Sequence, residues 1–192
     1  LAVLTAAPAA PTSPRTFAQL SAHHKDAWVI TWEQKAGRER YDEAKVDHII
    51  QTQLLRGGAF ESLTVCRFPH GSLGLELEWY HKYLRAATGK NFSMEDLNQI
   101  ADRVLNLIRA FWVREYGSMW SRDLDVPPMR WFKEPLTEGH LKGAVLDLEK
   151  YNAMLDIYYI KRGWDENGVP KKETLEKLGL ADVASQLILS SG

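Results

Sequence analysis

The sequence predicts an all-α, multihelical protein of about six helices joined by two long loops. Three observations carry this reading. Apolar residues recur at intervals of three and four along most of the chain. Glycines stand where successive helices should stop: Gly57–Gly58, Gly89, Gly117, Gly163 and Gly179. Ser93 followed by Asp96 forms a capping pair at the head of the longest periodic run.

Taken in order, the Ala/Pro-rich stretch 1–14 reads as a linker or as the end of a longer polypeptide, and its lack of basic residues before the apolar part makes it a poor signal peptide. Residues 27–34 (AWVITWEQ) suit either a short strand or a buried helix start. The spacing predicts a helix over 41–55, ended by Gly57 and Gly58. A loop follows over 60–72 around Cys66, Pro69 and Gly71. The next helix is expected over 73–88, with Leu75, Trp79, Tyr80, Tyr83 and Leu84 as its buried stripe. Over 93–116, Leu97, Ile100, Ala101, Val104, Leu105, Ile108, Phe111 and Trp112 form an apolar face wide enough for a large partner surface. An irregular connection is expected over 118–143. A helix then spans 146–162, Asp165 to Pro170 make a turn, and two short helices close the chain. The division expected is an N-terminal linker segment over 1–40, which the resemblance described below would make active-site-lining, and an all-helical domain over 41–192.

The 192 residues suffice to bury a sizeable core. With 24 basic and 25 acidic residues the net charge is -1, which gives no electrostatic footprint for nucleic acid or an anionic membrane. No apolar run approaches the roughly 18 residues of a membrane span. A single cysteine excludes an internal disulfide framework.

Few residues offer chemistry. Cys66 is either a buried small hydrophobe or a thiolate ligand. Iron–sulfur clusters take four thiolates, so one cysteine cannot hold a cluster unaided. His23 and His24 are either a surface pair or an acid–base group. No histidine pair has metal-ligand spacing, and neither a phosphate loop nor a nucleophile elbow is present.

The C-terminal half is more specific. Asn106-Leu-Ile-Arg109-Ala-Phe111-Trp-Val-Arg114-Glu115 resembles the Asn-x-x-Arg-x-Phe-Asn-x-Arg-Glu signature of the aldehyde:ferredoxin oxidoreductase family. Val126-Pro127, the stretch 138–143, Tyr158-Tyr159-Ile-Lys-Arg162-Gly163-Trp164-Asp165, Gly168-Val-Pro170 and Leu175-Glu-Lys-Leu178-Gly179-Leu180 follow in the order seen in that family's all-helical C-terminal domains. Trp112 departs from the usual Asn, and Pro128-Met129 lengthens one spacing by a residue.

The resemblance implies a tungsten, or sometimes molybdenum, bis-pterin oxidoreductase with a four-iron four-sulfur (4Fe-4S) cluster. It would oxidise aldehydes to carboxylic acids and pass electrons through the cluster to ferredoxin or an electron-transfer subunit. The family takes three cluster cysteines from a CxxCxxxC motif and the fourth from an Asp-x-x-Gly-Leu-Cys loop. Glu61-Ser-Leu-Thr64-Val65-Cys66 has that spacing, which makes Cys66 the expected fourth ligand and Glu61 the expected pterin acceptor. Val65 is expected to add backbone contacts, although Thr64 and Val65 replace Gly and Leu. Ser21-Ala22-His23-His24 resembles the family's metal-proximal stretch, which points to His24 as an acid–base group. The pterin-binding domain and the CxxCxxxC motif are absent from the 192 residues, so the rest of the enzyme is an implied partner and the chain alone is expected to be inactive. A cytoplasmic setting is implied. The alternatives are a related reductase of the benzoyl-CoA reductase type and a non-catalytic helical module with Cys66 merely buried.

Overall fold

The computed structural model describes residues 40–139 and 141–190; the stretch 27–34 and His23, His24 and Lys25 lie outside them. Among the described residues there is no named strand, and the fold is all-α as expected. The helices are α1 (Glu43–Leu54), α2 (Phe68–Leu73), α3 (Glu78–Thr88), α4 (Met94–Tyr116), α5 (Arg130–Lys133), α6 (Leu148–Arg162), α7 (Lys172–Lys177) and α8 (Ala181–Ser190). They fall into two compact units: one holds Tyr41–Val46 with 109–190, the other Asp47–Ile108.

In the unit 47–108 the start of α4 is fixed by local chemistry. The Ser93 amide donates to the Asp96 carboxylate at 2.7 Å, and the Asp96 amide donates to the Ser93 hydroxyl at 3.1 Å. This reciprocal box satisfies two helix-end donors. Gly57 and Gly58 do not end α1. The chain instead widens into a π-helix, Leu55–Glu61, because glycine's freedom permits the change of winding as readily as a stop. The expected loop over 60–72 is correspondingly shorter, with α2 occupying its end. Gly74, at φ 73, closes α2 and delays the next helix to Glu78. Within α3 only Tyr80 is buried: Trp79 is 40% and Tyr83 57% exposed. The Lys82 ammonium sits 4.6 Å above the Trp79 ring, which explains how an indole tolerates that surface. One small core cluster of this unit is Phe60 and Tyr80, flanked by Leu55, Leu63, Leu75, Leu77 and Met94.

In the unit containing 109–190, Ala110, Val113, Leu175, Leu180, Ala184 and Leu187 form the core. The α6 helix begins at Asp147, whose carboxylate accepts from the Lys150 amide at 3.0 Å, and ends at Gly163 with φ 67. The connection over 118–143 is more regular than its prolines suggest. It contains 3-10 turns at Gly117–Met119 and Arg122–Asp125 and the short helix α5. On α4, Leu97, Ala101, Ala110 and Val113 are buried, while Val104, Ile108, Phe111 and Trp112 are exposed.

Candidate cofactor-ligand loop

The segment Glu61 to Cys66 closes the π-helix with a turn. The Thr64 amide donates to the Glu61 carbonyl at 3.1 Å, and the Val65 amide donates to the Phe60 carbonyl at 2.9 Å. The second bond anchors the loop to the aromatic core through Phe60. Thr64 takes φ 54, the only left-handed residue other than glycine among the described residues. A β-branched side chain is rarely found there. The family pattern has glycine at this position, and the backbone shows why: the turn requires the left-handed region, and the threonine preserves the path at a cost of about 1 kcal/mol.

The turn delivers Cys66 to the surface as a free, exposed thiol, contrary to the buried-hydrophobe alternative. Its Sγ accepts from the Phe68 amide at 3.4 Å. Glu61 and Val65 are exposed on the same turn. The structure therefore brings three of the four expected site residues together within one short segment, while His24 lies outside the described residues. Beside the turn, Phe60 packs edge-on against Tyr80 with ring centroids 5.1 Å apart, and His70 lies 5.7 Å from Phe60. The sequence pattern marks Tyr80 only as part of a helix stripe; nothing in it links that residue to Cys66.

A four-iron cluster needs four thiolates. Among the described residues, no group of three or more His, Cys, Asp or Glu side chains is placed to hold a metal ion. The donor set thus fits the contribution of one exposed thiolate to a shared cluster and nothing more.

The signature residues around Arg109 have a different use. Arg109 Nε donates to the Gly168 carbonyl at 2.7 Å, its Nη1 donates to Asp125 at 2.8 Å, and its Nη2 also pairs with Asp125. The guanidinium lies 4.4 Å from the Trp120 ring centroid and 4.5 Å from that of Trp164. The Tyr159 hydroxyl donates to Asp125 at 2.5 Å, and the Tyr151 hydroxyl donates to the Asp125 carbonyl at 2.9 Å. Burial alone would raise the Asp125 carboxyl, but the bonds and charge of Arg109 and the Tyr159 hydroxyl outweigh it and hold the group below its ordinary range. Burial, with Asp125 adding to it, pushes Tyr151 up to about 12 and Tyr159 higher still. This is a bidentate ion pair with a third guanidinium bond to the backbone, a structural staple rather than a reactive centre. The turn 165–170 closes it. Gly168 stands at φ 74 so near the staple that a Cβ there would lie 2.2 Å from Arg109 Nη2. Three of the pieces of sequence that are each weak as motifs, those holding Arg109, Tyr159 with Trp164, and Gly168, converge on this one knot.

Comparison with known proteins agrees. The family model described as aldehyde ferredoxin oxidoreductase, domains 2 and 3, matches residues 16–180. The tungsten-containing aldehyde ferredoxin oxidoreductase of Pyrococcus furiosus is 38% identical over 122 residues, covering 64% of this chain and 19% of that protein. Its counterpart in Thermococcus kodakarensis is 32% identical over 154 residues, 80% of this chain and 24% of the relative. An aliphatic sulfonate oxidoreductase, WOR-like subunit, of Pyrococcus furiosus is 30% identical over 132 residues, 67% of this chain and 20% of that protein. The chain thus spans about a fifth to a quarter of the length of the curated relatives it matches. With the signature residues folded into one staple and an exposed cysteine delivered by the loop of matching spacing, the chain belongs to the aldehyde ferredoxin oxidoreductase family and corresponds to its domains 2 and 3.

Proposed function

We propose that the chain is the cluster-side helical part of a tungsten bis-pterin oxidoreductase that converts aldehydes to carboxylic acids, with water providing the added oxygen. The observation that carries this is the loop Glu61 to Cys66, which presents one exposed thiol on a strained turn at the family's spacing. When bound, the metal-pterin supplies two-electron oxidation and the 4Fe-4S cluster supplies the one-electron exit toward ferredoxin or an electron-transfer subunit.

The roles of this chain's own residues follow from their chemistry. Cys66 gives one thiolate to the cluster, with the Phe68 amide bonded to the sulfur. Glu61 presents a carboxylate that accepts from the amino and ring N–H groups of a pterin edge. Val65 contributes backbone contacts beside it. His24 moves a proton near the substrate, as an imidazole does near neutral pH. The missing partner is the rest of the enzyme, which supplies the other three thiolates. No helix among the described residues is long and apolar enough to cross a membrane, and a cluster-bearing protein with one unpaired cysteine suits a cytoplasmic setting. The names of the relatives support tungsten over molybdenum.

The test is Cys66→Ala in the complete enzyme, purified without oxygen and analysed for metals. We expect most of the iron to be lost while the polypeptides stay assembled. Full retention of iron would overturn the ligand role. The sulfonate-active relative supports a second reading, in which the same scaffold serves a substrate other than a simple aldehyde. Turnover of a panel of aldehydes and alkylsulfonates by the complete enzyme separates the two.

A further inference from the structure

The surface around the sulfur of Cys66 is apolar. Val65 is 39% and Phe68 55% exposed, and the thiol between them in sequence is exposed as well. These groups are gathered at one atom, because the Phe68 amide nitrogen lies 3.4 Å from the Cys66 Sγ. The Phe68 Cβ is two bonds from that nitrogen, which keeps it within about 6 Å of the sulfur whatever rotamer the ring takes. The turn is anchored from behind: the Val65 amide donates to the Phe60 carbonyl at 2.9 Å, and Phe60 is buried against Tyr80. Single apolar side chains on a surface need no explanation. A phenyl and an isopropyl group grouped at a bare thiol are a patch that a partner can bury.

Counting thiolates identifies the partner. The chain has one cysteine, and a four-iron cluster takes four thiolates. Whatever brings the other three must come within one cluster's width of the Cys66 sulfur, and so must settle over Val65 and Phe68. The chain spans 19% and 24% of two tungsten-containing relatives, which leaves most of the enzyme to supply that cover.

We propose that Val65 and Phe68 form the seat on which the cysteine-bearing part of the complete enzyme docks, with the Phe68 side chain sealing the cluster from water beside Cys66. The inference rests on Cys66 being a cluster ligand as read above. The partner is a segment that carries three thiolates and turns apolar side chains toward the seat. An apolar shell around a metal site controls solvent access and dielectric, and through them its potential. The reduced cluster carries one more negative charge than the oxidised one. Water admitted at the seat therefore stabilises reduction.

The experiment places Phe68→Ser and Phe68→Leu in the complete enzyme beside Cys66→Ala, with Ile160→Ser, at an exposed site of the other unit, as the control. The readouts are iron content, the rate at which an iron chelator strips the cluster, and the cluster's potential by electron paramagnetic resonance titration. We expect Phe68→Ser to be purified with its iron and to lose it to the chelator about ten times faster, since the exposed half of a phenyl is what the partner would bury. Its potential should rise, and Phe68→Leu should restore most of both properties. Iron missing from Phe68→Ser but kept by Phe68→Leu would be the same result at greater strength. Native stripping rate and potential in Phe68→Ser would overturn the seat and leave Cys66 as a ligand. Equal effects of serine and leucine, or an equal effect of Ile160→Ser, would also overturn it, because neither depends on an apolar group at this place. Full iron in Cys66→Ala would remove the underlying reading and the proposal together.

Discussion

Gly168→Ala should destabilise the unit holding 109–190 by about 3 kcal/mol, and the figure can be built from its parts. The position stands at φ 74, so alanine carries the left-handed penalty of about 1–2 kcal/mol. The reduced freedom of the unfolded alanine chain returns about 0.4–1 kcal/mol. The backbone terms therefore leave between about 0 and 1.6 kcal/mol. The larger effect is steric. The new Cβ would lie 2.2 Å from Arg109 Nη2 and 2.7 Å and 2.8 Å from Tyr159 Cζ and Oη. Neither neighbour can swing aside cheaply. Arg109 is held by Gly168, by Asp125 and by the rings of Trp120 and Trp164, and Tyr159 is bonded to Asp125. Breaking a buried ion pair costs roughly 3–5 kcal/mol. The side chains of this one are 12% and 24% exposed, so solvent screening brings the loss to about 2–3 kcal/mol. Urea unfolding followed by circular dichroism measures the sum. The control is Gly143→Ala, at φ 85 with nothing within 4 Å of its Cβ, which feels the backbone terms alone and should lose no more than about 1.6 kcal/mol. If the two variants were equally stable, the Arg109–Asp125 staple would not be what holds this unit.

Two further outcomes concern stability. Thr64→Gly should stabilise the unit 47–108 by about 1 kcal/mol, since φ 54 strains threonine and not glycine; Thr64→Ala should gain nothing, and equal behaviour of the two variants in urea would remove the strain argument. Tyr151, pushed up to about 12, and Tyr159 titrate higher in the folded chain than in the unfolded one, where tyrosine sits near ~10. Their contribution is complete below pH ~10 and is lost as pH rises toward 12, because the unfolded chain then gives up protons that the folded chain keeps. Stability followed from pH 9 to 12 should fall, and more shallowly in Tyr151→Phe; identical slopes would contradict the assignment.

The parts of the fold legible in the sequence are those decided within one turn of chain. The Ser93–Asp96 cap and the stops at Gly89 and Gly163 each depend on a few adjacent residues. The winding at Gly57–Gly58 was not legible, since glycine permits a stop and a π-turn alike. Nor was the exposure of Trp79, Tyr83 and Trp112: an apolar stripe shows that a helix has two faces, not what covers them. The candidate site divides similarly. The spacing from Glu61 to Cys66 is visible as letters, and the left-handed Thr64 gives that spacing a physical reason. Tyr80 reaches the loop through packing on Phe60, a contact between segments that periodicity does not encode. The Arg109 signature was readable as a pattern, yet its meaning as an ion pair needed Asp125, Tyr159 and Gly168 brought from 16 to 59 residues away.

The rings along the end of α4 have an optical consequence. Phe111 and Trp112 stand 5.5 Å apart, Trp112 and Tyr116 6.2 Å, and Tyr116 and Trp120 6.1 Å. At such separations excitation passes from tyrosine to tryptophan, and the ring transitions couple into near-ultraviolet dichroism. Trp112 is half exposed and emits into water, whereas Trp120 is tied through its indole N–H to the Asn167 carbonyl at 3.0 Å. Among the chain's seven tryptophans, Trp112 is therefore one whose emission would shift to the blue when something covers that end of α4, whereas Trp120 stays in its bonded setting.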